Sequence, residues 1–177
     1  RYLAVTGVQT CALPIYYDYE LFEVSPDRLG DFLRVRDFQG LNVTIPYKTT
    51  MLAICDDLTE TAATIGSVNT VLKQLDGSLL GDNTDAAGFE GMVWKSRIRI
   101  LGRKCLVLGS GGASLSAQYV LRKLGAGEVV VISRTGENNY DNLDRHQDAA
   151  VIVNATPVGM YPNTAASPLD LRQYPHC

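Results

Sequence analysis

The first half of the chain mixes two periods of apolar residues, and the elements that they predict are short. Apolar and polar residues alternate over 16–24, which is typical of a half-buried strand. A serine, a proline and an acid then open a helical pattern over 25–36. The apolar run 41–45 predicts a second strand, and Pro46 stops it because proline has no N–H for a strand ladder.

Three further elements are predicted before the pattern changes. Helical spacing indicates a helix over 58–65. The β-prone runs 67–75 and 78–83 flank an Asp-Gly pair, which is a strong local signal for a hairpin. Residues 84–96 have the spacing of a helix, with Thr84 or Asp85 as its N-cap.

The second half has the pattern of a parallel sheet with a crossover helix. Residues 103–135 form an apolar strand, a glycine turn, a helix that Gly125 ends, and a second apolar strand. Strands that are apolar on both faces and flank a helix predict a βαβ unit. Residues 148–156 predict a further buried strand. We therefore predict an α/β fold with one domain over 16–96 and a second over 97–177.

Composition mainly excludes classes of protein. The 177 residues, 46% of them apolar and 20% charged, are typical of a globular protein with a buried core. A net charge of -3 without a basic stripe argues against nucleic-acid binding, and no apolar run is long enough to span a bilayer. The four cysteines are scattered without metal-ligand spacing, which argues against zinc and for a reduced, cytoplasmic chain. His146 and His176 are interpreted as solvated loop residues.

The first fifteen residues stand apart from the rest of the sequence. The stretch "VTGVQTCALPI" resembles a translated sequencing adapter joined to an incomplete gene. It also lacks the basic, apolar and cleavage-site order of a signal peptide. We predict that residues 1–15 are non-native; the alternative is a real apolar strand.

A glycine-rich turn lies between the first strand and the helix of the βαβ unit. Gly109 suits the tight turn, and Gly111 would let the backbone approach a pyrophosphate at the positive end of the helix. A strand precedes the turn and a helix follows it, which is the context that a dinucleotide site requires. Ser114 is a small departure, because Gly or Ala is usual there. The alternative is a structural turn without a ligand.

The end of the next strand bears on the choice of nucleotide. An acid at this position would accept from the 2′-hydroxyl of NAD, whereas an arginine would bind the 2′-phosphate of NADP. The strand ends at Ser133, Arg134 and Thr135, without a carboxylate. The guanidinium fork suits a phosphate, so NADP is favoured. The alternative for Arg134 is an exposed charge at a strand end.

Polar residues follow or interrupt several predicted strands. Lys48 follows Pro46, Asn69 interrupts an apolar run, Asp85 opens a helix, and the polar group 154–156 ends the last strand. Ligands of α/β proteins bind at the carboxyl ends of strands, so this grouping favours a substrate site. Taken singly, Lys48 is explained equally well as a solvated charge and Asp85 as an N-cap.

Six stretches, in this order, resemble the shikimate dehydrogenase family. The resemblance runs from about Tyr17 to Cys177. It implies an NADP-dependent oxidoreductase that reversibly reduces 3-dehydroshikimate to shikimate, in the chorismate route to aromatic amino acids. It also implies an incomplete N-terminal substrate-binding α/β domain followed by an incomplete Rossmann-type NADP-binding domain. The stretches are "GLNVTIPYK", "IGSVNTV", "GDNTDAAGF", "VLGSGGAS", "SRT" and "NATPVGM".

The resemblance also implies roles for individual residues. Lys48 and Asp85 would be the catalytic pair, and Thr44, Asn69 and Asp85 would bind the substrate. Whether Lys48 transfers a proton or only stabilises charge on the substrate oxygen stays open. No metal is implied. The cofactor would be bound at the pyrophosphate by Gly109, Ser110, Gly111, Gly112 and Ala113, at the 2′-phosphate by Ser133, Arg134 and Thr135, and near the nicotinamide ribose by Asn154, Thr156, Val158 and Met160.

Compared with the family, we expect the chain to be an internal fragment. The family's N-terminal strand and helix and its later Rossmann strands have no counterpart here, so we expect weak NADP binding at most from residues 1–177. The expected partner is shikimate or 3-dehydroshikimate, with no nucleic acid and no membrane, in a monomer or homodimer. Two alternatives stay open: an NAD-dependent quinate/shikimate dehydrogenase, and a nucleotide-binding remnant without catalysis.

Overall fold

The computed structural model describes residues 19–35 and 38–177, which form two compact units that meet in sequence at Asn83 and Thr84. The predicted non-native stretch 1–15 lies outside the described residues and stays a prediction.

The start of the first unit differs in part from its prediction. Of the predicted strand 16–24, the described residues form no strand longer than the single bridge position of Phe22, although the buried Val24 keeps the alternation. A 3-10 turn over Pro26–Arg28 leads into α1 (Leu29–Val35), as the helical pattern predicts. Ser25 holds the N-cap position without a side-chain capping bond. Its hydroxyl instead bonds the carboxylate of Asp27 and holds the pKa of that group below its usual value.

A four-stranded mixed sheet forms the centre of the first unit. The elements of the unit that follow α1 are β1 (Gly40–Asn42), β2 (Asp57–Leu58), α2 (Glu60–Ile65), β3 (Thr70–Lys73) and β4 (Leu79–Asp82). The strand order is β1-β3-β4-β2, with β2 parallel to β4 and the other neighbours antiparallel. The hairpin predicted at Asp-Gly joins β3 to β4, and Gly77 has a φ of +86° there.

The core of the first unit joins this sheet to its helices. Apolar residues of α1, of α2 and of a 3-10 helix over Thr50–Ala53 pack with apolar residues of β1, β3 and β4. Burial of this apolar surface is the main stabilising contribution to the unit. The buried residues are Val24, Leu29, Leu33, Leu41, Val43, Tyr47, Met51, Ala62, Val68, Val71 and Leu79.

The second unit contains the predicted βαβ arrangement. Its elements are α3 (Asp85–Ser96), β5 (Lys104–Leu108), α4 (Gly112–Lys123), β6 (Glu128–Ile132) and β7 (Val151–Asn154). The three strands are all parallel, in the order β6-β5-β7. A 3-10 helix over Tyr140–His146, kinked at Asn142, lies between β6 and β7 in sequence.

Strand β5 is covered on both faces, which explains its uninterrupted apolar sequence. Cys105 and Val107 belong to one buried cluster, which includes residues of α3 and α4. Leu106 and Leu108 belong to another cluster, which includes Ile132 of β6. Side chains of a strand alternate between faces, so the two clusters lie on opposite sides of the sheet.

Helix α3 belongs by its contacts to the second unit. Phe89 and Val93 pack in the same cluster as Leu121 of α4, and Glu90 Oε2 lies 2.7 Å from Lys123 Nζ. The contact-based units therefore differ from the predicted domains 16–96 and 97–177 by the length of this helix. The apolar face of α3 packs against α4, the helix that follows β5.

The interpretation of His146 as a solvated residue is wrong. The side chain is 8% exposed and its Nε2 lies 3.0 Å from Asn138 Oδ1. The cause is the 3-10 helix that carries it, because Tyr140 and Leu143 of that helix pack on the buried cluster around Leu106. His176 is exposed, as predicted.

The described part of the chain carries neither a membrane-spanning helix nor a cluster of metal ligands. No helix there has the length and apolarity that crossing a membrane requires. Within residues 19–35 and 38–177, no group of three or more His, Cys, Asp or Glu side chains is placed to hold a metal ion.

Candidate active site

Lys48 lies in a turn that is anchored on both sides. The amide of Tyr47 donates to Thr44 O at 2.9 Å, and the amide of Met51 donates to Tyr47 O at 3.0 Å. The Tyr47 ring is buried and its hydroxyl donates to the backbone oxygen of Val24. Lys48, by contrast, is only half-buried. The turn therefore fixes the backbone of the lysine while part of the side chain remains accessible.

Three backbone hydrogen bonds join the segments of Lys48 and Asn69 at one edge of the first sheet. Val68 N donates to Lys48 O at 2.8 Å, Val43 N to Asn69 O at 2.7 Å, and Asn69 N to Asp82 O at 3.0 Å. These bonds join the end of β1, the entry to β3 and the end of β4. The roles predicted for Lys48 and Asn69 stay predictions.

The same edge contains polar side chains that the sequence analysis did not single out. Thr59 Oγ1 donates to Asp82 Oδ1 at 2.6 Å, and the buried Asn83 donates from Nδ2 to Ser67 O at 2.8 Å. Asn69 Oδ1 accepts from Thr70 Oγ1 at 3.0 Å. The polar run that follows the apolar residues of β4 could have identified these side chains in the sequence, because polar groups at a buried strand end need hydrogen-bond partners.

Asp85 is the first residue of α3, in the second unit. The N-cap position is held by Thr84, which makes no side-chain capping bond. An acid in the first helical turn is stabilised by the positive end of the helix dipole. Asp85 is half-buried, so its carboxylate is neither fully solvated nor enclosed.

Gly109 occupies a backbone conformation that only glycine adopts easily. Its φ is +105°, and a Cβ there would lie 3.1 Å from both Ala155 O and Thr156 Cγ2. Leu108 pairs with Ile132 on one side and with Asn154 on the other. The chain segments that follow β5, β6 and β7 therefore emerge at the same edge of the parallel sheet.

The start of α4 is open at this edge. Gly111 is the N-cap of the 12-residue helix, it supplies no side-chain cap, and a Cβ there would meet nothing within 4 Å. Ser110, Gly111 and Ala113 are exposed and Gly112 is half-buried. The buried Ser114 accommodates its departure from the usual motif because its Oγ accepts from Gln118 Nε2 at 3.1 Å. The unpaired N–H groups here are suited to bind a phosphate.

The loop after β6 carries Arg134 and Thr135, both exposed, next to the half-buried Ser133. The amide of Ser133 donates to Asn138 O at 3.1 Å, which closes the loop on itself. Arg134 thus lies two residues beyond Ile132, in a segment that leaves the sheet at the same edge as Gly109.

The loop after β7 is held by two of the predicted cofactor residues. Asn154 Oδ1 accepts from both the amide and the hydroxyl of Thr156, at 3.0 and 2.7 Å, and Asn154 Nδ2 donates to Val158 O at 2.9 Å. Val158 and Met160 are exposed and line a cavity of about 550 Å³ beside Leu108. The side chains of Asn154 and Thr156 therefore stabilise the loop from which Val158 and Met160 line this cavity.

Taken together, these features define a two-unit α/β protein whose second unit is of the Rossmann type, and comparison with known proteins agrees with this class. Residues 9–71 match the family described as the shikimate dehydrogenase substrate binding domain. The shikimate dehydrogenase (NADP(+)) of Caldicellulosiruptor bescii is 36% identical over 90% of this chain and 62% of its own length. That of Clostridium botulinum strain Hall is 33% identical over 90% of this chain and 67% of its own length.

A solved structure is similar in fold as well as in sequence. Shikimate 5-dehydrogenase from Thermus thermophilus, in complex with NADP(H) and shikimate, superposes with a TM-score of 0.73 at 36% identity. The match covers 86% of this chain and 61% of that one. The chain belongs to the shikimate dehydrogenase family. It spans 62% of the length of the Caldicellulosiruptor relative.

Proposed function

We propose that the chain carries the substrate and cofactor residues for the NADP-dependent, reversible reduction of 3-dehydroshikimate to shikimate. The observation that carries the proposal is the backbone grouping of Lys48 with Asn69 inside the region that matches a shikimate dehydrogenase substrate-binding domain. The relatives from two organisms are named for this activity.

The role proposed for Lys48 follows from the charge that develops during reduction. When bound, the nicotinamide cofactor supplies a hydride to the carbonyl carbon of the substrate, and negative charge grows on the carbonyl oxygen. An ammonium group beside that oxygen stabilises the charge and is placed to give it a proton. Asp85 would be the second catalytic residue and would accept from a substrate hydroxyl, while Thr44 and Asn69 would bind the ring hydroxyls.

The second unit fits the cofactor at three points. Gly109 permits the tight turn, the open start of α4 offers unpaired N–H groups, and Arg134 supplies a cation at the end of β6. Ser110, Gly112 and Ala113 would surround the pyrophosphate, and Ser133 and Thr135 the 2′-phosphate. The loop of Asn154, Thr156, Val158 and Met160 would border the nicotinamide ribose.

Arg134 and the absence of an acid beside it at the end of β6 favour NADP over NAD. An arginine fork donates two parallel hydrogen bonds to a phosphate, whereas the 2′-hydroxyl of NAD is best bound by a carboxylate. We further propose a cytoplasmic monomer or homodimer without nucleic-acid or membrane partners. The net charge of -3 argues against a nucleic-acid partner, and the Thermus thermophilus neighbour is in complex with small molecules.

The test is an assay of shikimate oxidation by a version of the chain extended to the length of its relatives. Formation of NADPH from NADP⁺, or of NADH from NAD⁺, is followed by absorbance with shikimate or quinate as substrate. The proposal expects the highest kcat/KM for shikimate with NADP⁺. Nucleotide binding without turnover would support a non-catalytic protein instead. A preference for quinate with NAD⁺ would contradict both the proposed substrate and the proposed cofactor.

A further inference from the structure

Asn138 links the loop of Arg134 to the interior of the second unit. Its backbone oxygen accepts from the amide of Ser133 at 3.1 Å, which closes the loop. Its side-chain Oδ1 lies 3.0 Å from Nε2 of His146, which is 8% exposed. One residue therefore bonds both the end of β6 and a buried side chain.

The chemistry of the two groups fixes the direction of the side-chain bond. An amide oxygen only accepts hydrogen bonds, so His146 Nε2 must carry the proton. Within the described part of the chain, no polar group bonds the buried Nδ1 of His146. The ring is therefore assigned with its Nε2 proton directed at Asn138 Oδ1.

His146 is itself held in place by packing. It ends the 3-10 helix over Tyr140–His146, and Tyr140 and Leu143 of that helix pack on the buried cluster that contains Leu106 and Ile132. The helix begins with a capping box, in which Asn139 Oδ1 accepts from Asp141 N at 2.9 Å and Asn142 Oδ1 accepts from Asn139 N at 2.9 Å. The donor to Asn138 is thus anchored to the core.

The placement of Arg134 determines phosphate binding by this loop, because the loop has little net charge. Residues 133–139 contain one arginine and one glutamate, Glu137, and no other charged residue. Opposite charges in one short loop largely cancel beyond a Debye length, so long-range attraction does not select a phosphate. Selection then depends on holding the Arg134 backbone where short, directional bonds to a phosphate form, and a preorganised loop loses less entropy on binding.

We propose that Asn138 and His146 are positioning residues that set the preference for a nucleotide with a 2′-phosphate. His146 donates to Asn138, Asn138 closes the loop through Ser133, and the closed loop places Arg134. This inference rests on the proposed function, since it deepens the assignment of Arg134 to the 2′-phosphate.

The test uses two probes that differ only in the phosphate. Adenosine 2′,5′-bisphosphate and adenosine 5′-monophosphate are titrated into the 177-residue chain by NMR, which measures millimolar affinities. The dissociation constant of the monophosphate divided by that of the bisphosphate reports the contribution of the 2′-phosphate to binding. His146→Leu is expected to lower this ratio by about three- to tenfold, the factor that corresponds to one net hydrogen bond. His146→Gln should restore it, because the glutamine amide nitrogen stands in for Nε2–H.

Leu143→Ala is the matched control for stability. It removes apolar packing from the same 3-10 helix without removing the bond to Asn138, so the melting temperature should fall while the ratio stays unchanged. A second measurement needs no ligand. Exchange of the Ser133 amide hydrogen should be faster in His146→Leu than in the parent chain and normal in His146→Gln.

The outcomes separate this inference from the proposed cofactor. If the parent chain does not prefer the bisphosphate, or if Arg134→Ala leaves the preference intact, the NADP assignment and this inference both fail. If Arg134→Ala abolishes the preference but His146→Leu does not change it, only the inference fails. Unchanged exchange at Ser133 in His146→Leu, or an equal loss of the ratio in Leu143→Ala, also overturns it.

Discussion

The amide of Val68 donates a 2.8 Å hydrogen bond to the carbonyl oxygen of Lys48. The bond uses backbone atoms only, so a substitution at Lys48 removes the ammonium group and leaves the turn tied to the entry of β3. The role proposed for the ammonium group can therefore be tested without removing this bond.

Lys48→Ala is expected to reduce turnover of shikimate by about 10²-fold or more, the range for a positioned acid–base group, with a much smaller change in NADP⁺ affinity. Steady-state kcat and KM in the extended protein measure both quantities. Lys73→Ala, at an exposed lysine of β3, is the control and should keep its turnover. Near-normal turnover in Lys48→Ala would return the residue to the role of a solvated charge.

Arg134→Ala is expected to lower kcat/KM with NADP⁺ by about 10- to 100-fold, the value of a hydrogen bond to a charged group, and to leave NAD⁺ use little changed. The kcat/KM of Arg134→Lys with NADP⁺ should lie between those of the parent and of Arg134→Ala, because an ammonium keeps the charge but lacks the two-pronged fork. Arg122→Ala, at an exposed arginine of α4, serves as the control. Equal efficiency with both cofactors in the unsubstituted protein would contradict the assignment.

Gly109→Ala and Gly111→Ala should separate folding from phosphate binding. At Gly109 a Cβ meets Ala155 and Thr156 with φ at +105°, so the melting temperature should fall, with a cost of about 1–3 kcal/mol. At Gly111 a Cβ meets no protein atom within 4 Å, so stability should hold while NADP⁺ binding weakens. Thermal unfolding and NADP⁺ titration measure the two effects. Unimpaired NADP⁺ binding by Gly111→Ala would count against a pyrophosphate at this turn.

An ion pair at the amino end of β5 should give the second unit a pH-dependent stability. Lys104 Nζ lies 2.8 Å from Asp148 Oδ1 and 3.4 Å from Glu128 Oε2. Burial acts to lower the pKa of Lys104, but the hydrogen bond to Asp148 and the charge of Glu128 outweigh it and raise that pKa. The hydrogen bond from Lys104 holds the pKa of the Asp148 carboxyl below its usual value.

The sign follows from the lowered pKa of Asp148. Its stabilising contribution is present above the unfolded value of about 4 and is lost as the pH falls through the lower folded value. Lys104→Met should therefore lower the melting temperature at neutral pH and flatten its decline below about pH 4. Arg34→Met, which removes an exposed ion pair with Asp31, should leave the decline of the melting temperature at acid pH unchanged. If the melting temperatures of Lys104→Met and of the parent decline in parallel at acid pH, the role of the Lys104–Asp148 pair is refuted.

The regular part of the second unit was predictable because its signals are local. A strand apolar on both faces, a glycine turn and a helix ended by Gly125 specify a βαβ unit within about thirty residues. The Asp-Gly turn specified the β3–β4 hairpin in the same way. The site residues could be grouped only as strand-end residues, since which strand ends meet depends on the register of Asn42 with Thr70 and of Thr70 with Asp82.

The elements that were missed depend on partners distant in sequence. The two-residue strand Asp57–Leu58 has no period of its own and is defined by pairing with Leu80 and Gly81. The burial of His146 depends on the cluster around Leu106, on which its 3-10 helix packs. The spacing of α3 predicts an apolar face but not the residues that cover it. In each case the deciding contact lies outside the window that a periodic pattern covers.

The bonds that tie the 43–48, 67–69 and 82–83 segments together have a further consequence for how this family diversifies. The bonds at Val43, Lys48, Val68 and Asn69 join main-chain atoms, so exchanging the side chain of Thr44 or Asn69 leaves the scaffold of the edge intact. Under the proposed function, acceptance of a ring acid with another hydroxyl pattern would require exchanging a few side chains at this edge, while its main-chain bonds remain.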